Sequence, residues 1–350
     1  MTDFDYLNAR VRAMSTELLR PPDYEQLLAA EGQEAALDLL HGTAYKRQLV
    51  QAMTVGHGLS ALESALGRNL SDCFARLRGL APEGPRRLLA LQFNQWDASN
   101  VLAVLRGKLT AAEPGEILEA LLPCGQFSEP QLEELAGQPG LEEVAATLAT
   151  WGYPFAFRLC EVIRRAGRAA DLVALESAVN EAYFSWALEQ VGERDPAEAL
   201  VRRMIRLQVD LANVKSALDQ VRHRTHGEAL EDMVLLAGGL LEPAVFQALG
   251  RATSMVQAFE ALQGSYFAPG IEKGILAFGL TGSLGVMERF LEGVVIAAGC
   301  RLFRRDPLSI GVPLGFLWRK YNEFLNLRLL MRGKSYRMPV NAIREELLYV

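Results

Sequence analysis

Several short stretches of this 350-residue chain carry residue types that could do chemistry. Arg332-Gly-Lys-Ser335 supplies the lysine and hydroxyl that close a phosphate-binding loop, but the glycine such a loop needs five residues before Gly333 is Arg328. Thr281-Gly-Ser-Leu-Gly285 has the outline of a nucleophile elbow with threonine in the first glycine position. An elbow requires a strand leading into the turn, and the helical surroundings offer none. Gly279, Gly282 and Gly285 lie three apart, which is not a dinucleotide fingerprint and fits close helix packing better. His223 and His226 have a tolerable metal spacing, yet no nearby cysteine or acid pair completes a ligand set. The other histidines, His41 and His57, suggest no base paired with a nucleophile. Cys73, Cys124, Cys160 and Cys300 are far apart, against a disulfide framework or zinc cage and in favour of a reducing compartment. The expectation is no catalytic residue, no cofactor and no metal.

The polar residues that do recur belong to a repeat. Leu59-Ser-Ala-Leu-Glu-Ser-Ala-Leu66 matches Leu172-Val-Ala-Leu-Glu-Ser-Ala-Val179 at six of eight positions, displaced by 113. At the same displacement Gly125 falls on Gly238, Glu129-Pro130 on Glu242-Pro243, Tyr153 on Tyr266, and Asp97 and Asn100 on Asp210 and Asn213. A further 113 brings Asn213 to Asn326, with Glu323 three residues before it. Apolar residues follow each asparagine at one, four and five positions: Val101, Val104 and Leu105; Val214, Ala217 and Leu218; Leu327, Leu330 and Met331. That spacing is one stripe of a 3.6-residue helix, with the asparagine at its edge. Asp97, Asn100, Asp210, Asn213, Glu323 and Asn326 are therefore candidate polar positions. Three identical placements argue for structure or binding over catalysis, because chemistry needs different groups converging on one spot. Each asparagine is expected to bond a neighbouring helix and fix its register.

The elements that position them read as helix throughout. Leu, Ala, Glu and Arg dominate, and alternating Val/Ile/Thr runs with Asn-Gly turns are missing. Pro21-Pro22-Asp23 and Ser128-Glu129-Pro130 mark helix starts; His41-Gly42, Gly107 and Gly333 are expected to mark helix ends as left-handed residues. The fold class is all-α: three similar helical-bundle domains in tandem, residues 1–125 with an N-terminal helix, 126–238 and 239–350. At about 100 residues each unit has domain size, unlike a solenoid repeat. The apolar stretch from Gly274 to Met287 is too short to cross a bilayer and is expected to be a buried helix. The acidic N-terminus does not have the pattern of a signal peptide. Net charge is −6, but residues 301–350 hold ten Lys/Arg against four Asp/Glu, an asymmetry of the kind that marks docking surfaces.

Tyr6-Leu-Asn-Ala-Arg-Val-Arg-Ala-Met14, Leu40-His-Gly-Thr-Ala-Tyr45, Asp97-Ala-Ser-Asn100, Asp210-Leu-Ala-Asn213 and Asp306-Pro-Leu-Ser-Ile-Gly311 together resemble the C subunit of the A/V-type rotary ATPases, related to the d subunit of the eukaryotic vacuolar enzyme. The resemblance spans the whole chain. It implies a funnel of three domains about a pseudo-threefold axis that catalyses nothing. Such a part links central stalk subunits to membrane rotor ring subunits and transmits torque for proton or sodium transport. It further implies a cytoplasmic, peripheral protein that takes no nucleic acid and no small-molecule substrate. A soluble helical scaffold or adaptor is the competing class. Tyr6 to Arg12 also resembles Leu325-Asn-Leu-Arg328, which suggests that the N-terminal helix pairs with the last domain.

Overall fold

A computed structural model describes residues 4–56, 58–166, 172–223 and 235–350. His57 and His226 lie outside the described residues. Those residues form eighteen α-helices and no strand, so the fold is all-α. α1 (Asp5–Ser15) stands first. A first run follows: α2 (Pro21–Ala29), α3 (Gly32–Leu40), α4 (Lys46–Val55), α5 (Gly58–Leu80), α6 (Glu83–Leu109) and α7 (Pro114–Ala120). The second run is α8 (Glu129–Gly137), α9 (Leu141–Thr150), α10 (Ala156–Ala166), α11 (Leu172–Glu189) and α12 (Pro196–His223). The third is α13 (Pro243–Arg251), α14 (Met255–Gln263), α15 (Ala268–Thr281), α16 (Leu284–Arg305), α17 (Gly311–Ser335) and α18 (Val340–Glu346). Each run begins with two short helices and reaches a long one, α6, α12 or α17, that carries the repeated Asx positions.

The chain forms two compact units, one of residues up to Val179 together with Cys300–Val350, the other Asn180–Gly299. The borders fall inside α11 and α16. In the first unit Leu7, Val11 and Met14 bury one face of α1, which packs along α17. The Asn8 side-chain amide fastens that contact by donating to the carbonyls of Pro307 and Ser309 at 3.0 and 3.1 Å. Trp96 of α6 lies against Phe74, Phe93, Trp318 and Tyr321, so the aromatic core joins α5, α6 and α17. In the second unit Lys215 of α12 pairs with Glu288 and Glu292 of α16, tying the long helix to its neighbour.

Three sequence expectations change here. Gly107 and Gly333 do not end their helices: α6 runs on to Leu109 and α17 to Ser335. The left-handed residues are Ala111 (φ 53°) and Arg337 (φ 55°), four positions later in both copies. The glycines serve packing instead, since a Cβ at Gly107 would sit 2.5 Å from Ile117 of α7, and one at Gly333 2.6 Å from Ile343 of α18. Gly42, too, is absent from the left-handed region, although α3 does end at Leu40. The apolar stretch from Gly274 is not one buried helix. Gly282 (φ 62°) breaks it, and Leu276 and Leu280 are 76% and 89% exposed. Among the described residues no helix is long and apolar enough to cross a membrane.

The closest crossing lies between α16 and α17, where a Cβ on Gly315 would fall 2.2 Å from the backbone nitrogen of Phe303. Backbone cannot swing aside as a side chain can. Gly315→Ala is expected to destabilise the chain by about 2 kcal/mol or more, as overpacking against rigid atoms does. Gly79→Ala, where nothing lies within 4 Å of the new methyl, should instead stabilise by up to about 1 kcal/mol through helix propensity. Urea unfolding midpoints of the two variants check both signs.

Candidate functional site

An asparagine side chain presents one donor and one acceptor side by side, the complement of the C=O and N–H of a peptide edge. Each repeated asparagine uses that match on a single residue. Asn100 donates to the Leu122 carbonyl at 2.8 Å and accepts the Leu122 N–H at 2.9 Å. Asn213 holds Leu236 at 2.9 and 2.8 Å. Asn326 holds Leu348 at 2.9 and 3.1 Å, with Asn322 donating to the same carbonyl at 2.8 Å. All three asparagines are buried, and the peptide groups they hold belong to half-buried residues outside the helices, so each fixes a loop or terminus and not, as the sequence suggested, a neighbouring helix.

The acid one turn earlier completes each clamp. Asp97 accepts the N–H groups of Gln126 and Phe127 at 2.7 and 3.0 Å and the Tyr153 hydroxyl at 2.9 Å. Asp210 accepts those of Leu240 and Leu241 and the Tyr266 hydroxyl at 2.6 Å. Glu323 accepts the Leu19 N–H and the Tyr45 hydroxyl, the latter at 2.7 Å. Every acid thus reaches two places: the residues just before a short helix, α8, α13 or α2, and a tyrosine ahead of α10, α15 or α4.

The third clamp is built from both ends of the chain. Leu348 stands 226 residues after Leu122, twice the repeat, whereas Leu19 and Tyr45 each stand 108 residues before Phe127 and Tyr153. One continuous loop in the first two copies is therefore replaced in the third by a C-terminal residue and an N-terminal segment. Arg344 and the Tyr349 hydroxyl add contacts to Glu25, and the Tyr24 and Tyr349 rings meet edge-on at 5.9 Å. Sliding the sequence by 113 residues misses Leu19, Tyr45 and this junction; a second displacement of 108 is the signal that finds them. The same sliding pairs Gly125 with Gly238, while the structural counterpart is Gly239. A Cβ at Gly125 would fall 1.9 Å from the Asp97 carboxylate and one at Gly239 2.0 Å from that of Asp210.

Lys320 is the other residue that the repeat does not reveal. Its buried ammonium lies 2.7 Å from Glu323 and 2.9 Å from the Tyr45 hydroxyl, above the Tyr45 ring. The first clamp is held by neutral donors instead. There, burial pushes the Asp97 carboxyl up to about 6 against the pull of its three donors and Arg78, and burial likewise raises Asp210. Tyr45, Tyr153 and Tyr266 are raised as well, first by burial and then by the adjoining carboxylates. Asp97 and Asp210 have their bonds directed at backbone and tyrosine, Glu323 bonds Lys320 as well, and all three carboxylates are buried. The arrangement holds loops and chain ends by buried hydrogen bonds.

The discarded motifs are absorbed in the same way. Lys334 donates to the carbonyls of Leu28 and Ala30, at the end of α2, and Arg332 pairs with Glu63, so that stretch is a helix anchor. Lys108 makes the corresponding bond to Ala136 at 2.5 Å. Thr281 to Gly285 is the turn between α15 and α16, and exposed His223 lies 3.4 Å from Asp219. Among the described residues no cluster of three potential metal ligands occurs, and all four cysteines are free thiols. A cleft of about 1000 Å³ opens above Lys320, lined by Arg20, Arg47, Arg76, Glu17 and Asp72. Its Arg47–Asp72 and Arg76–Glu17 pairs, at 2.5 and 3.4 Å, already neutralise one another.

A family model described as ATP synthase (C/AC39) subunit matches residues 7–346. The chain is 23% identical to the C subunit of an A-type ATP synthase from Methanocaldococcus jannaschii, over 99% of this chain and 87% of that protein. It is 26% identical to the C subunit of a V-type ATP synthase from Deinococcus radiodurans, covering 98% and 91%. Identity to the A-type C subunit of Methanosarcina acetivorans is also 26%, covering 100% and 94%.

Two measurements check the clamps. Asn326→Ala and deletion of residues 347–350 should each destabilise the chain by about 2–4 kcal/mol, since each strands buried peptide or amide groups; urea midpoints report this. The folded Asp97 carboxyl keeps its proton to higher pH than the unfolded chain does, so the stability it confers is present below pH 3.8 and lost as pH rises through about 6. The decline in unfolding free energy between pH 4 and 6 should be shallower in Asp97→Asn than in the parent chain.

Proposed function

The chain belongs to the ATP synthase (C/AC39) subunit family, and we propose that within such a rotary complex it is a non-catalytic rotor part joining the central stalk to the membrane ring. The observation that carries this reading is the threefold recurrence of one buried clamp, on α6, α12 and α17. A torque-bearing link must resist bending at its loops. Each clamp replaces a compliant loop contact by side-chain bonds from a long helix, in a low-dielectric interior where such bonds are hard to break.

The three segments 1–125, 126–238 and 239–350 are, in this reading, equivalent domains about a pseudo-threefold axis, forming a funnel that receives the stalk. The clamps straddle the segment borders, since Asp97 holds residues 126 and 127 and Asp210 holds 240 and 241. Neighbouring segments would therefore be interlocked. The protein would sit in the cytoplasm, peripheral to the membrane, moving with the ring as protons or sodium ions pass and ATP is made or hydrolysed.

Binding of the purified chain to the central stalk subunits and to the purified rotor ring tests this reading. Association with both, weakening about tenfold or more between 50 and 500 mM salt, is expected for charged interfaces of modest area. Partners outside the rotary complex, with no affinity for stalk or ring, would favour a scaffold or adaptor; ATP turnover by the isolated chain would favour an enzyme.

A further inference from the structure

The last turns of α16 bring like charges together, and Glu323 is the carboxylate that acts on one of them, Arg319. Phe303 is buried and two guanidinium groups lie against its ring, that of Arg12 from α1 at 5.5 Å and that of Arg319 from α17 at 4.8 Å. Arg301 and Arg304 flank Phe303 on α16, both exposed as Arg12 is. Arg319 is half-buried and held below the usual guanidinium range, first by burial and then by Arg304; Arg301 and Arg319 both lie close enough to act on the buried Cys300 thiol. None of the ion pairs linking the described residues includes Arg12, Arg301, Arg304 or Arg319. Asp306, the carboxylate nearest along the chain, accepts the Leu308 N–H and caps its own turn.

Other arginines of the same helix as Arg319 are paired: on α17, Arg328 and Arg332 share Glu63. Packing alone does not call for the cluster either, because the α16–α17 crossing is made by Gly315 against the Phe303 backbone. Four like charges on three helices repel one another in the free protein, and an anion relieves that cost. Contact with the Phe303 ring also holds two guanidinium groups near one spot, where their forked donors suit a carboxylate.

We propose, on the rotor reading above, that the arginine face around Phe303 is a docking surface for an acidic segment of a neighbouring protein in the complex, one that presents at least two carboxylates. A bilayer is a poorer match. Surface helices that lie on membranes add a broad apolar face to their cations, and here the adjoining loop contributes the single exposed side chain of Leu308.

The test is binding of the full-length chain to the central stalk subunits, to the rotor ring and to phosphatidylserine vesicles, each measured separately. Arg12→Glu combined with Arg304→Glu changes exposed residues only, and Arg12→Gln with Arg304→Gln removes the charges without reversing them. Arg251→Glu, exposed on the second unit, is the control. Affinity for the stalk or the ring is expected to fall about tenfold or more in the reversed variant and less in the neutral one, with Arg251→Glu unchanged. Equal affinity of all variants for stalk and ring overturns the docking surface and leaves the rotor reading standing. A parent chain that binds neither stalk nor ring overturns both. Loss confined to vesicle binding overturns the proposal in favour of a lipid contact.

Discussion

A buried peptide edge with no partner costs more than a typical helix contact gains, and three loops of this protein bury such edges between helices. That constraint explains why asparagine and acid recur at one spacing on α6, α12 and α17. Asparagine is the side chain that satisfies both groups of one peptide, and an acid one turn away takes the next N–H groups and a tyrosine. The glycines at 125 and 239, the helix-anchoring lysines 108 and 334, and the two termini all follow from the geometry of these contacts.

Charges around the clamps show how the repeat tolerates divergence. Arg106 pairs with Glu176 and Arg332 with Glu63, so in two places a long helix is tied by its arginine to the glutamate of a Leu-Glu-Ser-Ala sequence. In the remaining copy the corresponding residues are Asp219 and Arg289, with the signs exchanged. The missing cation at the end of α12 is thus matched by a change on α16. The third clamp differs again: its acid is the longer glutamate and carries its own buried partner in Lys320, where the other two rely on neutral donors. A buried carboxylate and ammonium that share a tyrosine cannot lose one member without leaving a charge stranded in the core.

Interior and exterior use their polar groups differently. The clamps pair their polar groups inside the units, whereas most of the charged side chains lie at the surface. The arginines around Phe303 are like charges gathered in one place, and they lie mostly in the C-terminal stretch whose positive balance stands out from an otherwise acidic chain.

The amino-acid sequence by itself determined the helical class, the 113-residue repeat and the identity of all six clamp positions, because periodic apolar stripes and fixed offsets are properties of one helix read alone. It also made clear that the phosphate-loop and elbow look-alikes lacked the residues or strand they need. Only the tertiary structure decided what the six residues hold. Leu19 and Tyr45 bond to Glu323 across about 300 residues of chain, and a displacement of 108 in place of 113 hides them from a single sliding comparison. Gly107 and Gly333 look like helix ends until Ile117 and Ile343 are seen pressed against them, since a glycine has no side chain to say whether it is there for its backbone or for its neighbour. The reason is common to both cases: local pattern records what a residue can do, and which partner fills the space opposite it is set by packing of elements distant in the chain.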